Sequence, residues 1–193
     1  MSFFKMTSPA VARRFFLQRS GLVLSGAAVA LLAGNDALAA TSEKSGGKGA
    51  SGDVKILNTA LGAELEAIAA YGVGAQSGLL QKPVLDLAVV FQGHHKEHAD
   101  VLAKTITKLG GKPVAAKAKY NFPTDQLKSQ ADVLKFAAGL EKGAVSAYLG
   151  AVPLFHSRDL SKAAASILGD EAMHWAVLRN ALGEAPVPGA FVA

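Results

Sequence analysis

Four long stretches of the chain repeat apolar residues at helical spacing, and glycine or proline separates them. In the first, Leu57, Leu61, Ile68 and Tyr71 share a face, and Ser51 or Asp53 can cap the start, which predicts a helix from about Asp53 to Gln76. The second opens at Pro83, a favoured first-turn residue, and carries Leu85, Leu87, Val90, Phe91, Val101, Leu102 and Ile106. Gly110-Gly111 and Pro113 stop it, with Lys108 in the last turn. The third runs from about Ala131, after a Ser129 cap, through Leu134, Ala138, Val145 and Tyr148 to Leu154, where Pro153 kinks or ends it. The fourth follows Ser157 or Asp159, buries Ile167, Leu168, Trp175 and Leu178, and ends at Gly183.

The pattern implies an all-α bundle of two antiparallel helical hairpins, because the first and last connections are short. The middle connection, about Gly110 to Ser129, is long for a compact domain and contains Tyr120, Phe122 and Pro123, which can pin it to the bundle. A long middle crossover belongs to one bundle topology. An up-down-up-down bundle with a loose loop is the other reading.

Polar residues interrupt each apolar face near its middle: Glu64 in the first helix, His95 and His98 in the second, Glu141 in the third, Glu171 and His174 in the fourth. The 95/98 and 171/174 pairs are both spaced i, i+3, so each pair shares a face. At about 1.5 Å of rise per residue, all six positions fall within roughly a turn of the midplane. Three carboxylates and three imidazoles buried together are expensive without a compensating cation. Oxygen and nitrogen donors of this kind suit iron, manganese or zinc. His94, at i, i+4 from His98, competes with His95 as the donor of the second helix.

The two halves also repeat. Glu64 precedes Tyr71 by seven residues and His98 by 34, while Glu141 precedes Tyr148 by seven and His174 by 33. This suggests a pseudo-twofold pair of hairpins with the polar layer on the axis. The tyrosines read first as core aromatics with a wet hydroxyl, and secondly as hydrogen-bond donors to the glutamates. Asp170 reads first as a surface residue and secondly as a supporting partner of a ligand histidine, and Glu66 and Glu97 point away from the layer.

Composition narrows the chemistry. The chain has no cysteine, so disulfides, thiolate catalysis and cysteine-type zinc sites are excluded. The net charge of +5 misleads, because Lys5, Arg13, Arg14 and Arg19 all lie in the first 20 residues. Without residues 1–39 the chain has 16 basic and 14 acidic residues, a net of +2, which gives no electrostatic case for nucleic acid.

Those first 39 residues read as a signal peptide. A basic segment ends in Arg13-Arg14-Phe15-Phe16-Leu17, an apolar run covers Gly21 to Ala33, and Ala37-Leu38-Ala39 offers a cleavage point before Ala40. The run is short against the roughly 20 residues of a membrane span, so no stable span is expected after cleavage. Arg13-Arg14 with Phe16-Leu17 resembles the twin-arginine export signal, which implies the export machinery as a partner and a periplasmic or otherwise exported product. Residues 40–52 lack large apolar side chains and read as a flexible linker, and residues 185–193 as an irregular tail.

Residues 54–184 resemble the ferritin-like superfamily, in particular small exported bacterial ferritin-like proteins. The carriers are Leu57-Asn58-Thr59-Ala60-Leu61 leading to Glu64, His98 with Leu109-Gly110-Gly111-Lys112-Pro113, Leu140-Glu141 with Ala147-Tyr148, and Glu171-Ala172-Met173-His174. The resemblance implies a ferritin-like four-helix bundle with the di-iron pattern Glu, Glu-x-x-His, Glu, Glu-x-x-His. Glu64, Glu141, Glu171 and His174 match it. His95 stands where the pattern has a glutamate, so the second element becomes His-x-x-His.

The expected cofactor is iron, one or two ions, with manganese or zinc as other candidates. Three functions compete: an oxidoreductase acting on dioxygen, peroxide or ferrous iron, a non-catalytic metal-binding or buffering module, and a structural bundle with a polar core layer. A homo-oligomer is compatible with all three.

Overall fold

The computed structural model of the chain describes residues 46–192, with side chains from residue 49. The signal-peptide segment and residues 40–45 of the expected linker lie outside the described residues. Among the described residues four helices make up the fold: α1 (Gly46–Gln76), α2 (Lys82–Lys108), α3 (Gln130–Ala151) and α4 (Arg158–Ala181). Short 3-10 turns occupy Thr124–Gln126 and Val152–Leu154, and there is no strand among the described residues.

The helix ends follow local chemistry. Ser129 caps α3 by accepting from the Asp132 amide at 3.3 Å, and Ser157 caps α4 by accepting from Leu160 at 3.4 Å. Behind α2, the Gly110 amide reaches Thr107 O and the Gly111 amide reaches Ile106 O, both at 2.9 Å. This double closure needs a left-handed residue, and Gly110 supplies it with φ +78°. Gly111 also allows close approach, because a Cβ there would lie 2.5 Å from Val54 Cγ1. At the end of α3, Pro153 converts the last expected turn into the 3-10 segment.

The start of α1 departs from expectation. Residues 46–52, read as linker, form its first two turns. Glycine and serine have poor helix propensity, so tertiary contacts carry this segment. A Cβ on Gly49 would lie 2.7 Å from His156 Cδ2, which places the helix directly against the α3–α4 connection. Asp53 is not the cap of its own helix. It is buried, and its carboxylate accepts from the backbone amides of His156 at 2.7 Å and Ser157 at 3.0 Å. Asp53 thus anchors the start of α4 to α1.

Topology follows from which ends meet. The start of α1 packs with the end of α2 and the start of α4 in one apolar cluster: Leu57, Leu61, Ala99, Leu102, Ile106, Tyr148, Ala164 and Ile167. The end of α1 packs with the starts of α2 and α3 and the end of α4 in a second: Tyr71, Ala88, Phe91, Leu134, Ala138 and Leu178. α2 and α3 therefore run parallel, and the crossover must travel the length of the bundle. That requirement excludes up-down-up-down order and explains the long connection. Asn58 holds its beginning with a bond to Lys112 O (3.1 Å) and another from the Val114 amide (2.8 Å). Phe122, stacked on Tyr120 at 5.7 Å, packs edge-on against Phe136 of α3 at 5.8 Å. The hairpins approach each other more closely along α1 and α3 than along α2 and α4. Val90 and Val101 of α2 turn out to be exposed. None of the described helices is long and apolar enough to cross a membrane.

Candidate metal centre

Between the two apolar clusters lies a polar layer, and all six residues singled out from the sequence meet there. Glu64, His95, Glu141, Glu171 and His174 are each at most 3% exposed, and the His98 side chain is 15% exposed. They form two overlapping groups, Glu64–His95–His98–Glu171 and His95–Glu141–Glu171–His174. In each group one donor atom per residue lies within 4.8 Å of the others. His95 and Glu171 belong to both groups, so they occupy the shared position between two half-sites.

His95 sits between two carboxylates. Its Nδ1 is 2.8 Å from Glu64 Oε2 and its Nε2 is 3.3 Å from Glu141 Oε1. The competing His94 lies at the rim, with its side chain 42% exposed and its Nδ1 2.9 Å from His174 Nε2. The two histidines of α2 thus take different places, and His95 is the central one.

The tyrosines cross between the hairpins. Tyr71 of α1 donates to Glu141 of α3, and Tyr148 of α3 donates to Glu64 Oε1 of α1 at 2.6 Å. Both rings are also core residues, one in each apolar cluster. Their hydroxyls are not wet, as the first reading had it. Burial raises both phenol pKa values well above the ordinary value, and the neighbouring carboxylates add to the effect. Each phenol therefore stays a donor.

Asp170 takes the second of its two readings, beside histidines at the rim of the layer. Its side chain is 23% exposed, and its Oδ2 lies 3.3 Å from His94 Nδ1, 3.3 Å from His174 Nε2 and 3.4 Å from His98 Nε2. The i, i+4 spacing from Asp170 to His174 carried that signal in the sequence.

Five buried polar atoms of the layer have no hydrogen-bond partner: His98 Nδ1, Glu141 Oε2, both oxygens of Glu171, and His174 Nδ1. Several are close without being aligned, as with His98 Nδ1 and Glu171 Oε1 at 3.1 Å. A carboxylate with no solvent and no donor is unfavourable by several kcal/mol. Protons compensate in part when no cation is present. Burial on its own lowers the pKa of an imidazole, but the surrounding carboxylates outweigh it. Bonds to Glu141 and Glu64 push His95 up to about 11. Contacts with Glu171 and Glu64 raise His98 to about 9, and contacts with Glu141 and Glu171 raise His174 to about 9. Burial pushes the Glu141 carboxyl up, but its contacts with His174 and His95 prevail and hold it well below the usual range. A divalent ion bound by the same atoms would replace this network of shared protons. The orphaned donors, all oxygen or imidazole nitrogen, fit a first-row transition metal.

Residues 52–184 match the family described as "Ferritin-like domain". The chain belongs to that family. The fold also resembles the crystal structure of a conserved hypothetical protein from Mycobacterium tuberculosis, with a TM-score of 0.64 and 26% identity. That similarity covers 74% of this chain and 99% of the other. No curated protein is significantly similar to the chain. The ferritin-like fold and a buried His/Glu cluster compatible with metal binding are thus established together.

Proposed function

We propose that this ferritin-like protein holds one or two transition-metal ions, iron foremost, and acts as an oxidoreductase on dioxygen, peroxide or ferrous iron in the periplasm. The carrying observation is the set of five unpartnered buried atoms converging on the layer shared by all four helices. Glu64, His95, His98 and Glu171 would hold one ion, and His95, Glu141, Glu171 and His174 the other. When bound, such ions supply redox equivalents and a Lewis-acidic position for a small oxygen-containing substrate.

The protein's own part is to orient and to exclude. Tyr148 and Tyr71 fix the Glu64 and Glu141 carboxylates by donating to one oxygen each, which leaves Glu141 Oε2 unpartnered and Glu64 Oε2 facing His95 Nδ1. Stacking of Phe91 on His174 at 4.0 Å holds that ring in register. The two apolar clusters close the layer from above and below, which limits water around reactive species.

Metal content with stoichiometry, measured on protein purified from its native compartment, tests this reading. One or two equivalents of iron or manganese, with turnover on adding peroxide, are expected. Less than about a tenth of an equivalent of any transition metal would overturn it, since a resident cofactor of this kind fills most sites. A non-catalytic metal carrier is the second reading, and the donor charge favours it. With His95 at the shared position, three carboxylates face up to two divalent ions, so oxidised ions are stabilised less. Metal without turnover would select the carrier.

The periplasmic assignment rests on the pattern of residues 1–39. Replacing Arg13 and Arg14 together by lysine should leave the precursor in the cytoplasm, and unchanged export would remove this part of the reading.

A further inference from the structure

The inner layer does not use His94 or Asp170, yet both point at it from outside. We propose that His94, Asp170 and the outward nitrogen of His174 form a separate, solvent-accessible site for a divalent transition metal, from which ions load the inner layer. This rests on the inner layer being a metal centre, and it adds the position through which that centre is filled.

Three donor atoms converge there. His94 Nδ1 and His174 Nε2 are 2.9 Å apart, and Asp170 Oδ2 is 3.3 Å from each. Donors bound about 2.0–2.1 Å from a zinc-like ion at angles of about 90–109° lie roughly 2.8–3.4 Å from one another, so the triangle already has the required edges. Two imidazoles and one carboxylate on a single face, with the other positions open, are a recurrent arrangement for divalent first-row metals. Without a cation, one ring proton lies between the two nitrogens. A turn of the half-exposed His94 ring opens that pair to an ion.

Location supports a loading role. The donors come from α2 and α4, across a seam where the two hairpins approach less closely than along α1 and α3. His94 and Asp170 reach solvent with side chains 42% and 23% exposed, whereas His174 is 2% exposed. His174 belongs to both places: its Nε2 faces the outer triangle, and its Nδ1 faces Glu141 Oε2 at 3.6 Å and Glu171 Oε2 at 3.5 Å. A neutral imidazole has one lone pair, so His174 serves the outer or the inner position, not both at once. An ion held outside lies one imidazole ring away from the inner carboxylates that His174 Nδ1 faces. His98 Nε2, 3.4 Å from Asp170, lines the path.

Cobalt(II) is the probe, followed by equilibrium dialysis and by the rise of its absorption on rapid mixing. An inner-depleted variant, Glu64→Gln with Glu141→Gln, is expected to retain one ion and to lose it when His94→Ala and Asp170→Ala are added. In the otherwise native protein, His94→Ala should leave the final cobalt content unchanged and slow loading about tenfold. An inner-depleted variant that retains no cobalt would overturn the outer site. Equal loading rates for native and His94→Ala protein would overturn its role. If the otherwise native protein loses its cobalt when His94→Ala and Asp170→Ala are introduced, the inner centre fails instead and the outer site stands. Both replaced residues reach the surface, so folding is preserved, and circular dichroism checks it.

Discussion

The Tyr148 hydroxyl donates to Glu64 Oε1 at 2.6 Å, a bond that joins the second hairpin to the first through the polar layer. Its pseudo-symmetric counterpart runs from Tyr71 to Glu141 in the opposite direction. Each glutamate therefore depends on the other hairpin for its orientation. Removing such an outer hydrogen bond commonly costs about 10–100-fold in metal affinity. Tyr148→Phe keeps the ring in its apolar cluster and leaves Glu64 Oε1 without a donor. It is expected to weaken the first ion by about that factor while the fold persists, as measured by competition with a chromophoric chelator. Tyr71→Phe should act on the ion held through Glu141.

The titration of the layer gives a pH dependence with a definite sign. His95, His98 and His174 all have folded-state pKa values above the ordinary 6.5, at about 11, 9 and 9. The folded metal-free protein therefore binds more protons than the unfolded chain between these limits. Their contribution to stability is complete below about pH 6.5 and is lost as pH rises through about 9 and then 11. The melting temperature of metal-free protein should fall steadily from pH 6 to pH 10. Metal-loaded protein should show a much weaker decline, because the ion replaces the protons. Metal affinity should rise over the same interval, since binding releases ring protons. Calorimetric scans with and without zinc check both slopes.

Much of the fold was legible because its signals are local. The Ser129 and Ser157 caps, Pro83 in the first turn of α2 and Gly110 behind it all act within a few residues of where they stand. The six polar residues of the layer were legible because their spacing is helical and their neighbours are apolar. What was missed depends on contacts between distant segments. The first turns of α1 form from a glycine-rich stretch because it packs on His156, more than 100 residues away in the chain. Asp53 looked like a cap for the helix it sits in and instead serves α4. The tyrosine hydroxyls find their partners on the opposite hairpin, and no periodicity within one helix reveals that pairing. For Asp170 the spacing to His174 within α4 was legible, whereas its contacts with His94 and His98 were not, because those come from α2.

Asp53 is also the basis of a stability prediction. It is 3% exposed and accepts two backbone bonds, at 2.7 and 3.0 Å, from the segment that enters α4. A carboxylate is a strong acceptor, and hydrogen bonds to charged groups contribute about 1.5–3 kcal/mol. Asp53→Ala leaves both amides without a partner and frees the start of α4 from α1. The expected loss is about 2–3 kcal/mol, with a fall in melting temperature on the order of 10 °C for a domain of this size. Asp53→Asn keeps one acceptor and should lose roughly half as much. Metal stoichiometry should be unchanged in both, because the residue lies a bundle-end away from the layer. Denaturant unfolding of the metal-free proteins measures the difference without interference from bound ions.

The histidine at the shared position accounts for how this layer departs from the di-iron pattern, and replacing it gives two opposite effects. In the metal-free protein the His95 ring lies between Glu64 and Glu141, and as a cation it directs its Nδ1–H at Glu64 Oε2 (2.8 Å) and its Nε2–H at Glu141 Oε1 (3.3 Å). His95→Glu removes that cation and puts a fourth carboxylate beside three others. Like charges at this separation repel strongly in a buried site, so the metal-free variant should melt well below the native protein. In the metal-loaded protein the new carboxylate faces two cations and can bridge them. The second ion should then bind at least about tenfold more tightly, a gain of 1.4 kcal/mol or more. Stabilisation on adding manganese or zinc should accordingly be larger for the variant than for the native protein, even though its starting point is lower. Thermal shifts with and without metal, paired with metal stoichiometry, read both effects. A variant that melts lower and gains no additional metal-dependent stability would show that His95 does not occupy the bridging position.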